Sequence, residues 1–126
     1  RSPNSFAMRT ELQLALEYDG KFAGALSFHT LNLEEAKAEI GYWVTAQIRG
    51  KGVATQATKL MTAYGFETIG FHRIEALVVE SNKPSVKVLS KAGYQKEGVL
   101  RDACCQDDGS RENMIMFGAI RTDWQV

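Results

Sequence analysis

A short glycine-containing turn is the part of this sequence with the clearest capacity for chemistry. Residues 47–52 read Gln-Ile-Arg-Gly-Lys-Gly and precede a stretch with helical spacing. Gly50 and Gly52 let a ligand approach the backbone closely, and the unpaired N–H groups of a following helix favour an anion. Arg49 and Lys51 add positive charge. The turn therefore indicates a phosphate or pyrophosphate site, while a plain strand-to-helix connection explains the turn alone equally well.

The turn lacks the defining residues of two common nucleotide-binding motifs. A Walker A loop reads Gly-x-x-x-x-Gly-Lys-Ser/Thr, and the dinucleotide fingerprint needs a third glycine and an early strand. Neither pattern is present here. The elements on either side of the turn must therefore decide its role.

The segments that flank the turn predict a β-α-β unit. Residues 39–44 are rich in aromatic and β-branched side chains, which are typical of strands. Apolar residues then recur at helical spacing over residues 53–69, and residues 73–79 form the next predicted strand. Because such crossovers are right-handed and join parallel strands, the two strands should run parallel.

Two Asp-Gly pairs predict hairpins, because this dipeptide suits the tight turns that join antiparallel strands. The paired segments are 12–18 with 21–31, around Asp19-Gly20, and 94–105 with 112–120, around Asp108-Gly109. Asn82 and Pro84 predict the start of a second helix, and Gly93 predicts its left-handed C-terminal cap. We expect the two tryptophans and six phenylalanines to lie in the core.

Composition narrows the class of protein. The 126 residues suit a single domain, and fifteen basic residues balance fifteen acidic ones, so no overall field attracts nucleic acid or an anionic membrane. No apolar run has the length of a membrane-spanning helix, and no leader peptide opens the chain. The only cysteines, Cys104 and Cys105, fit no metal-ligand spacing. These features favour a cytoplasmic protein without a metal, nucleic-acid or membrane partner.

The order of these motifs resembles the GNAT N-acetyltransferases of the RimJ/RimL type, which acetylate ribosomal proteins. The pattern Gln47-x-x-Gly50-x-Gly52-Val53-Ala54 is similar to the family motif that holds the pyrophosphate of acetyl-CoA. Further similar stretches occur at residues 40–44, 73–76, 82–94 and 97–102. Together they extend over residues 39–124, so the resemblance covers most of the chain.

The resemblance implies an α/β fold with a mixed, mostly antiparallel sheet, flanking helices and two central parallel strands that splay apart. The pantetheine arm of acetyl-CoA would lie in that gap, and Asn82 would contact the arm as well as cap its helix. The cofactor-binding residues that the resemblance implies are Trp43, Val44, Gln47, Ile48, Arg49, Gly50, Lys51, Gly52, Val53, Ala54, Asn82 and Ser85.

The resemblance also points to catalytic residues. Many family members place a tyrosine on the second helix to protonate the departing thiolate, but Leu89 stands at that position here. Ser85 matches a serine proposed for this role in the RimJ/RimL type; the alternative is a solvated serine in the first turn of a helix. No residue stands out as the general base for the amine. Glu39, Glu75 and Glu80 flank the central strands, with Glu80 as the candidate, and a water relay to bulk solvent would serve equally well.

The predicted activity is transfer of acetyl from acetyl-CoA to a primary amine, with a protein N-terminus as one acceptor. The alternatives are a small-amine or antibiotic acetyltransferase, and a non-catalytic CoA-binding or dimerisation module. The resemblance also allows a second copy of this chain as a partner, in a homodimer. Family members carry an N-terminal strand and two helices that have no counterpart here, so we expect residues 1–126 to be one N-terminally incomplete acetyltransferase domain.

Overall fold

The computed structural model describes residues 11–45 and 52–124. These residues form six strands and two α-helices. In chain order the elements are β1 (Glu11–Tyr18), β2 (Lys21–Asn32), β3 (Lys37–Val44), α1 (Val53–Tyr64), β4 (Arg73–Val79), α2 (Lys83–Lys91), β5 (Gln95–Cys105) and β6 (Arg111–Ile120). The predicted strand 73–79 has the same bounds, and the other strands differ from prediction by one or two residues at an end.

The six strands form one sheet in the order β1-β2-β3-β4-β6-β5. Neighbouring strands are antiparallel except β3 and β4, which run parallel as predicted. The predicted fold class, a mostly antiparallel mixed sheet with a central parallel pair and flanking helices, is therefore confirmed.

The parallel pair is joined only at its beginning. Residues 37–39 of β3 pair with residues 73–75 of β4, and no later pairing between them occurs among the described residues. Yet β3 continues to Val44 and β4 continues to Val79. The two strands therefore separate toward their carboxyl ends, and the gap between those ends is called the splay below.

Both helices pack on the same face of the sheet. Ala57 and Met61 of α1 and Leu89 of α2 belong to one buried cluster with the strand residues Phe28 and Ile74. Burying a side chain the size of phenylalanine stabilises a fold by roughly 1.5–3 kcal/mol. This shared core holds the first turns of both helices in position beside the splay.

Two aromatic side chains that were predicted to be in the core are exposed instead. Phe22 is 58% exposed and Trp43 is 51% exposed, and their ring centroids lie 5.5 Å apart. Tyr42, the residue before Trp43, packs against the core. Because consecutive strand residues point to opposite faces, Trp43 must lie on the face away from the helices. The core prediction was wrong for Phe22 and Trp43.

α1 continues into a wider turn than an α-helix has. The α-helical part ends at Tyr64, and Gly65–Ile69 form a π-helical turn that ends at Gly70. A Cβ atom on Gly65 would lie 2.7 Å from the ring of Phe28. The absence of a side chain at this position thus allows the helix to lie directly against β2.

α2 begins and ends at the predicted capping residues. Asn82 is its N-cap, and Gly93 follows the last turn with a φ of +102°. The nearby Cys104 and Cys105 are free thiols, half-buried and exposed respectively. Within residues 11–45 and 52–124, no helix is long and apolar enough to cross a membrane, and no three metal-ligating side chains cluster.

Candidate active site

The predicted site residues that the structure describes lie around one edge of the sheet. α1 follows β3 and α2 follows β4, so both helices begin at the carboxyl edge of the parallel pair, beside the splay. The two helices also contact each other. The site is therefore bounded by the ends of two strands and the beginnings of two helices.

The first turn of α1 offers backbone donors to an anion. Gly52 begins the helix with a φ of +76°, a conformation that favours glycine, and no side chain of the described residues caps the turn. No acidic residue lies in this first turn, where Val53 and Ala54 are half-buried. The helix dipole and the free N–H groups are thus available to a phosphate group.

The preceding turn falls outside the described residues. Gln47, Ile48, Arg49, Gly50 and Lys51 belong to the segment 46–51, so their assignment as pyrophosphate contacts stays a prediction.

The end of β3 presents one edge of its backbone to the splay. Trp43 and Val44 pair with Ala25 and Gly24 of β2 on one side. On the other side, no strand of the described part of the chain pairs with them. An unpaired strand edge binds extended ligands through its N–H and C=O groups, as an added strand would.

Asn82 caps α2 and keeps one further group available. Its side-chain oxygen accepts a hydrogen bond from the backbone N–H of Ser85 at 3.4 Å. The side-chain NH2 group of Asn82 has no hydrogen-bond acceptor among the described residues, and the residue is exposed. Capping and ligand contact are therefore compatible at this position.

Ser85 contacts a side chain from across the splay. It is half-buried, and its hydroxyl accepts a hydrogen bond from the phenol of Tyr42 at 3.1 Å. Tyr42 lies on β3 and Ser85 on α2, so this bond connects the two sides of the splay. Burial raises the pKa of Tyr42 above its ordinary value of 10.0, and the bond to Ser85 partly offsets that rise. The phenol therefore keeps its proton at neutral pH.

Tyr42 is a site residue that the sequence did not reveal. It belongs to the stretch 40–44 that resembles the family, but no pattern in the sequence indicates its contact with Ser85, 43 residues away. The only signal was the alternation that places Tyr42 on the same face as Ile40, toward the helices.

Glu80 follows the end of β4 and is directed toward β6. Its carboxylate accepts a hydrogen bond from the Asn113 side-chain NH2 group at 3.2 Å, and its backbone N–H donates to the Asn113 carbonyl at 2.9 Å. An open depression of about 470 Å³ lies beside it, also lined by Ser81, Lys83, Arg111 and Glu112. The structure records no hydrogen bond between Glu80 and Ser85 within the described residues.

Leu89 is a core residue rather than a site residue. It is 1% exposed and belongs to the main apolar cluster. The second helix therefore presents no hydroxyl to the splay at that position, whereas Ser85 and Tyr42 do bring hydroxyl groups to it.

A family comparison identifies the sequence class. The profile of the acetyltransferase (GNAT) domain matches residues 4–95, a segment that includes β1 to β4, both helices and the turn at residues 47–52.

Individual relatives agree with this match. The putative ribosomal N-acetyltransferase YdaF of Bacillus subtilis (strain 168) is 30% identical over 114 residues, which are 90% of this chain and 62% of YdaF. The spermidine N(1)-acetyltransferase of Escherichia coli (strain K12) is 29% identical over 92 residues, which are 73% of this chain and 50% of that enzyme.

A solved structure has the same fold. RimJ of Mycobacterium smegmatis, in complex with CoA-disulfide, superposes with a TM-score of 0.85 at 30% identity, and the match covers 93% of this chain and 56% of RimJ. This chain thus spans about half to three-fifths of the length of these three relatives.

Proposed function

Because this chain belongs to the GNAT family of N-acetyltransferases and is of the RimJ/RimL type, we propose that it binds acetyl-CoA in the splay and transfers the acetyl group to a primary amine. Acetyl-CoA supplies the activated acetyl thioester, and the chain supplies binding, orientation and hydrogen bonds.

The pyrophosphate of acetyl-CoA binds the first turn of α1. Free N–H groups from Gly52 to Ala54 and the helix dipole attract the anion, and no acidic side chain in that turn opposes it. Gln47, Ile48, Arg49, Gly50 and Lys51 complete the cradle, with two positive charges next to the backbone donors.

The pantetheine arm occupies the splay as an extra strand. Its amide groups pair with the free backbone edge at Trp43 and Val44, and Asn82 donates its side-chain NH2 group from the opposite side. The arm thereby replaces the β3–β4 hydrogen bonds that end after residue 39.

Ser85 meets the sulfur at the end of the arm. The amine nitrogen forms a bond to the acetyl carbon while the carbon–sulfur bond breaks, and the electron pair of that bond leaves on sulfur. The Ser85 hydroxyl donates a hydrogen bond to this developing thiolate, and the thiolate takes its proton from water or from the amine, whose nitrogen must lose a proton once it is acetylated.

The acceptor amine must be uncharged to attack. A protein N-terminus, with a pKa near 8, is roughly one-quarter uncharged at pH 7.5, whereas a lysine, with a pKa near 10.4, is only about one part in a thousand uncharged. An N-terminal amine therefore needs little assistance, which is compatible with Glu80 as a modest base held by Asn113, or with water in its place. This contrast favours a protein N-terminus as the acceptor, and the relative YdaF is named a putative ribosomal N-acetyltransferase.

The main support for the proposal is that three features lie together at the carboxyl edge of the parallel strands. An uncapped helix N-terminus, an unpaired strand edge and a partly buried serine hydroxyl follow one another along the line that a CoA molecule would occupy. A plain connection between strand and helix requires none of the three.

A turnover assay tests the proposal. The purified chain is mixed with acetyl-CoA and a panel of amines: peptides with free N-termini, the same peptides with blocked N-termini, spermidine, and an aminoglycoside. We expect amine-dependent release of free CoA, detected with a thiol reagent, from the free N-terminal peptides. Release with only spermidine or the aminoglycoside identifies a small-amine enzyme. Acetyl-CoA binding without release identifies a non-catalytic CoA-binding module, and no binding contradicts the proposal.

A further inference from the structure

A tyrosine with no assigned role lies against the proposed catalytic serine. The Tyr42 phenol donates to the Ser85 hydroxyl oxygen at 3.1 Å, and both residues are partly buried. A serine hydroxyl has one proton and two lone pairs. Because Tyr42 occupies a lone pair, the Ser85 proton is directed away from Tyr42, and the described residues provide no recorded acceptor for it.

We infer that Tyr42 is a positioning residue, which orients the Ser85 hydroxyl so that its proton is donated to the CoA sulfur. This inference rests on the proposed function, since it assigns the sulfur to the Ser85 end of the splay. Tyr42 would act on the sulfur only through Ser85. Hydrogen bonds in such a chain polarise one another, so the phenol also makes Ser85 a better donor.

Proton affinities indicate that Tyr42 does not itself give up its proton. A thiol has a pKa of about 8.5 and a tyrosine about 10, so complete transfer from Tyr42 to the thiolate is disfavoured by about 30-fold even without burial. Burial raises the Tyr42 pKa further. Ser85 therefore stabilises the thiolate by a hydrogen bond, Tyr42 supports Ser85 in that role, and the proton that finally neutralises the thiolate comes from water or from the acceptor amine.

The ring and the hydroxyl of Tyr42 have separable roles. The ring packs against the apolar core next to Ile40, a contact that phenylalanine keeps. The hydroxyl makes its recorded hydrogen bond to Ser85 alone among the described residues. Tyr42→Phe therefore removes the orienting bond and leaves the packing in place, so the inference can be tested without unfolding the protein.

Binding of CoA and desulfo-CoA measures the effect without any turnover. Isothermal titration calorimetry at pH 7.0 and pH 9.5 compares the 126-residue chain with its Tyr42→Phe, Ser85→Ala and Tyr64→Phe variants. Tyr64 is 42% exposed and far from this bond along α1, so its variant is the matched control. The charged residues Glu80 and Lys83, at the start of α2, are the same in every protein compared, so any effect they have on binding is common to all of them.

If the Ser85 hydroxyl donates a hydrogen bond to the CoA sulfur, the protein should bind the thiolate form of CoA more tightly than the thiol form. We expect the affinity of the unmodified chain for CoA, relative to desulfo-CoA, to rise about tenfold between the two pH values, because the free thiol ionises over this range. Tyr64→Phe should give the same rise, Ser85→Ala none, and Tyr42→Phe about threefold or less, with desulfo-CoA affinity unchanged in all of them.

Each of the other possible results of this titration would contradict a specific part of the inference. A full tenfold rise in Tyr42→Phe overturns the positioning role alone. A Tyr42→Phe variant that loses affinity for desulfo-CoA shows that Tyr42 holds the arm or the fold, and also overturns it. No rise in the unmodified chain overturns the thiolate contact while CoA binding stands. No binding of CoA at all overturns the proposed function and this inference together.

Discussion

The guanidinium of Arg73 donates hydrogen bonds to both carboxylate oxygens of Glu97, at 2.6 Å and 3.1 Å. Arg73 opens β4, at the joined end of the parallel pair, and Glu97 lies in a bulge of β5 directly above Gly118 of β6. The same guanidinium reaches Glu75 at 2.8 Å. These hydrogen bonds link the β5–β6 hairpin to β4, which borders the splay.

The pairing predicts a pH dependence of stability. The hydrogen bonds from Arg73 lower the pKa of Glu97 below its usual 4.5. A carboxylate with a lowered pKa in the folded state contributes stability above the unfolded pKa and loses it as pH falls through the folded value. Glu97→Gln removes this carboxylate and should therefore be less stable than the unmodified chain at pH 7. The expected loss is only about 0.5–1 kcal/mol, because the ion pair is partly exposed to solvent.

Urea unfolding at pH 7 and pH 3 measures this difference. The gap between the two proteins should shrink as the pH falls from 7 through the lowered folded-state pKa of Glu97, because below that pKa the carboxyl group is protonated in both states of the unmodified chain. Asp108 also has a lowered pKa, from its bonds to Ser110, but it is present in both proteins and cancels. A gap of equal size at both pH values would show that the ion pair does not stabilise the fold.

Two buried threonines one helical turn apart on α1 should respond oppositely to the same substitution. Thr58 is fully buried and its hydroxyl has no hydrogen-bond partner among the described residues. The Thr62 hydroxyl donates to the Thr58 carbonyl at 2.7 Å, so the buried Tyr94 phenol must donate to Thr62, also at 2.7 Å. Valine matches threonine in shape and lacks the hydroxyl.

Thr58→Val should raise the free energy of unfolding by about 1 kcal/mol, because it removes an unpaired buried polar group. Thr62→Val should lower it by about 1–3 kcal/mol, because the Tyr94 hydroxyl loses its acceptor. Chemical denaturation of both variants gives the comparison. Equal destabilisation by the two substitutions would contradict the assigned hydrogen bonds.

Local patterns predicted the strands and helix ends, whereas contacts between distant residues were not predictable. Asn82 and Gly93 cap α2 as expected, because a cap depends on neighbouring residues in the sequence. The Tyr42–Ser85 bond depends on how β3 and α2 come together, which no local pattern encodes. Trp43 was misassigned to the core because its residue type was given more weight than its alternating position.

Gly52 has a matched control elsewhere in the chain. Gly52 and Gly20 both adopt a φ of +76°, and a Cβ at either position would meet no atom of residues 11–45 or 52–124 within 4 Å. A glutamate at either position therefore costs a similar 1–2 kcal/mol or so of backbone strain. Gly20 lies in the turn between β1 and β2 and not at the start of a helix.

Gly52→Glu should weaken acetyl-CoA binding at least about tenfold, because its carboxylate lies where the pyrophosphate is proposed to bind, while Gly20→Glu should bind normally. Calorimetric titration at low ionic strength gives both affinities. If Gly52→Glu binds as well as Gly20→Glu, the pyrophosphate does not bind the first turn of α1.

The capping role and the proposed ligand-binding role of Asn82 can be separated by substitution. Asn82→Ala removes the cap of α2 and should lower stability by about 1 kcal/mol, whereas Asn82→Ser keeps a capping oxygen and should retain most of that stability. Both variants lack the side-chain NH2 group and should bind acetyl-CoA about fivefold to tenfold more weakly, the loss of one hydrogen bond. Normal binding by a stable Asn82→Ser variant would leave capping as the residue's one role.

A crystal structure of the chain with CoA tests the central claim, that the splay is an acetyl-CoA groove. The account predicts pyrophosphate oxygens within hydrogen-bond distance of the N–H groups of residues 52–54, the pantetheine arm beside Trp43 and Val44, and the sulfur within about 3.5 Å of the Ser85 hydroxyl. CoA bound elsewhere, for example in the depression lined by Leu100 and Asn113, or a sulfur remote from Ser85, would contradict it.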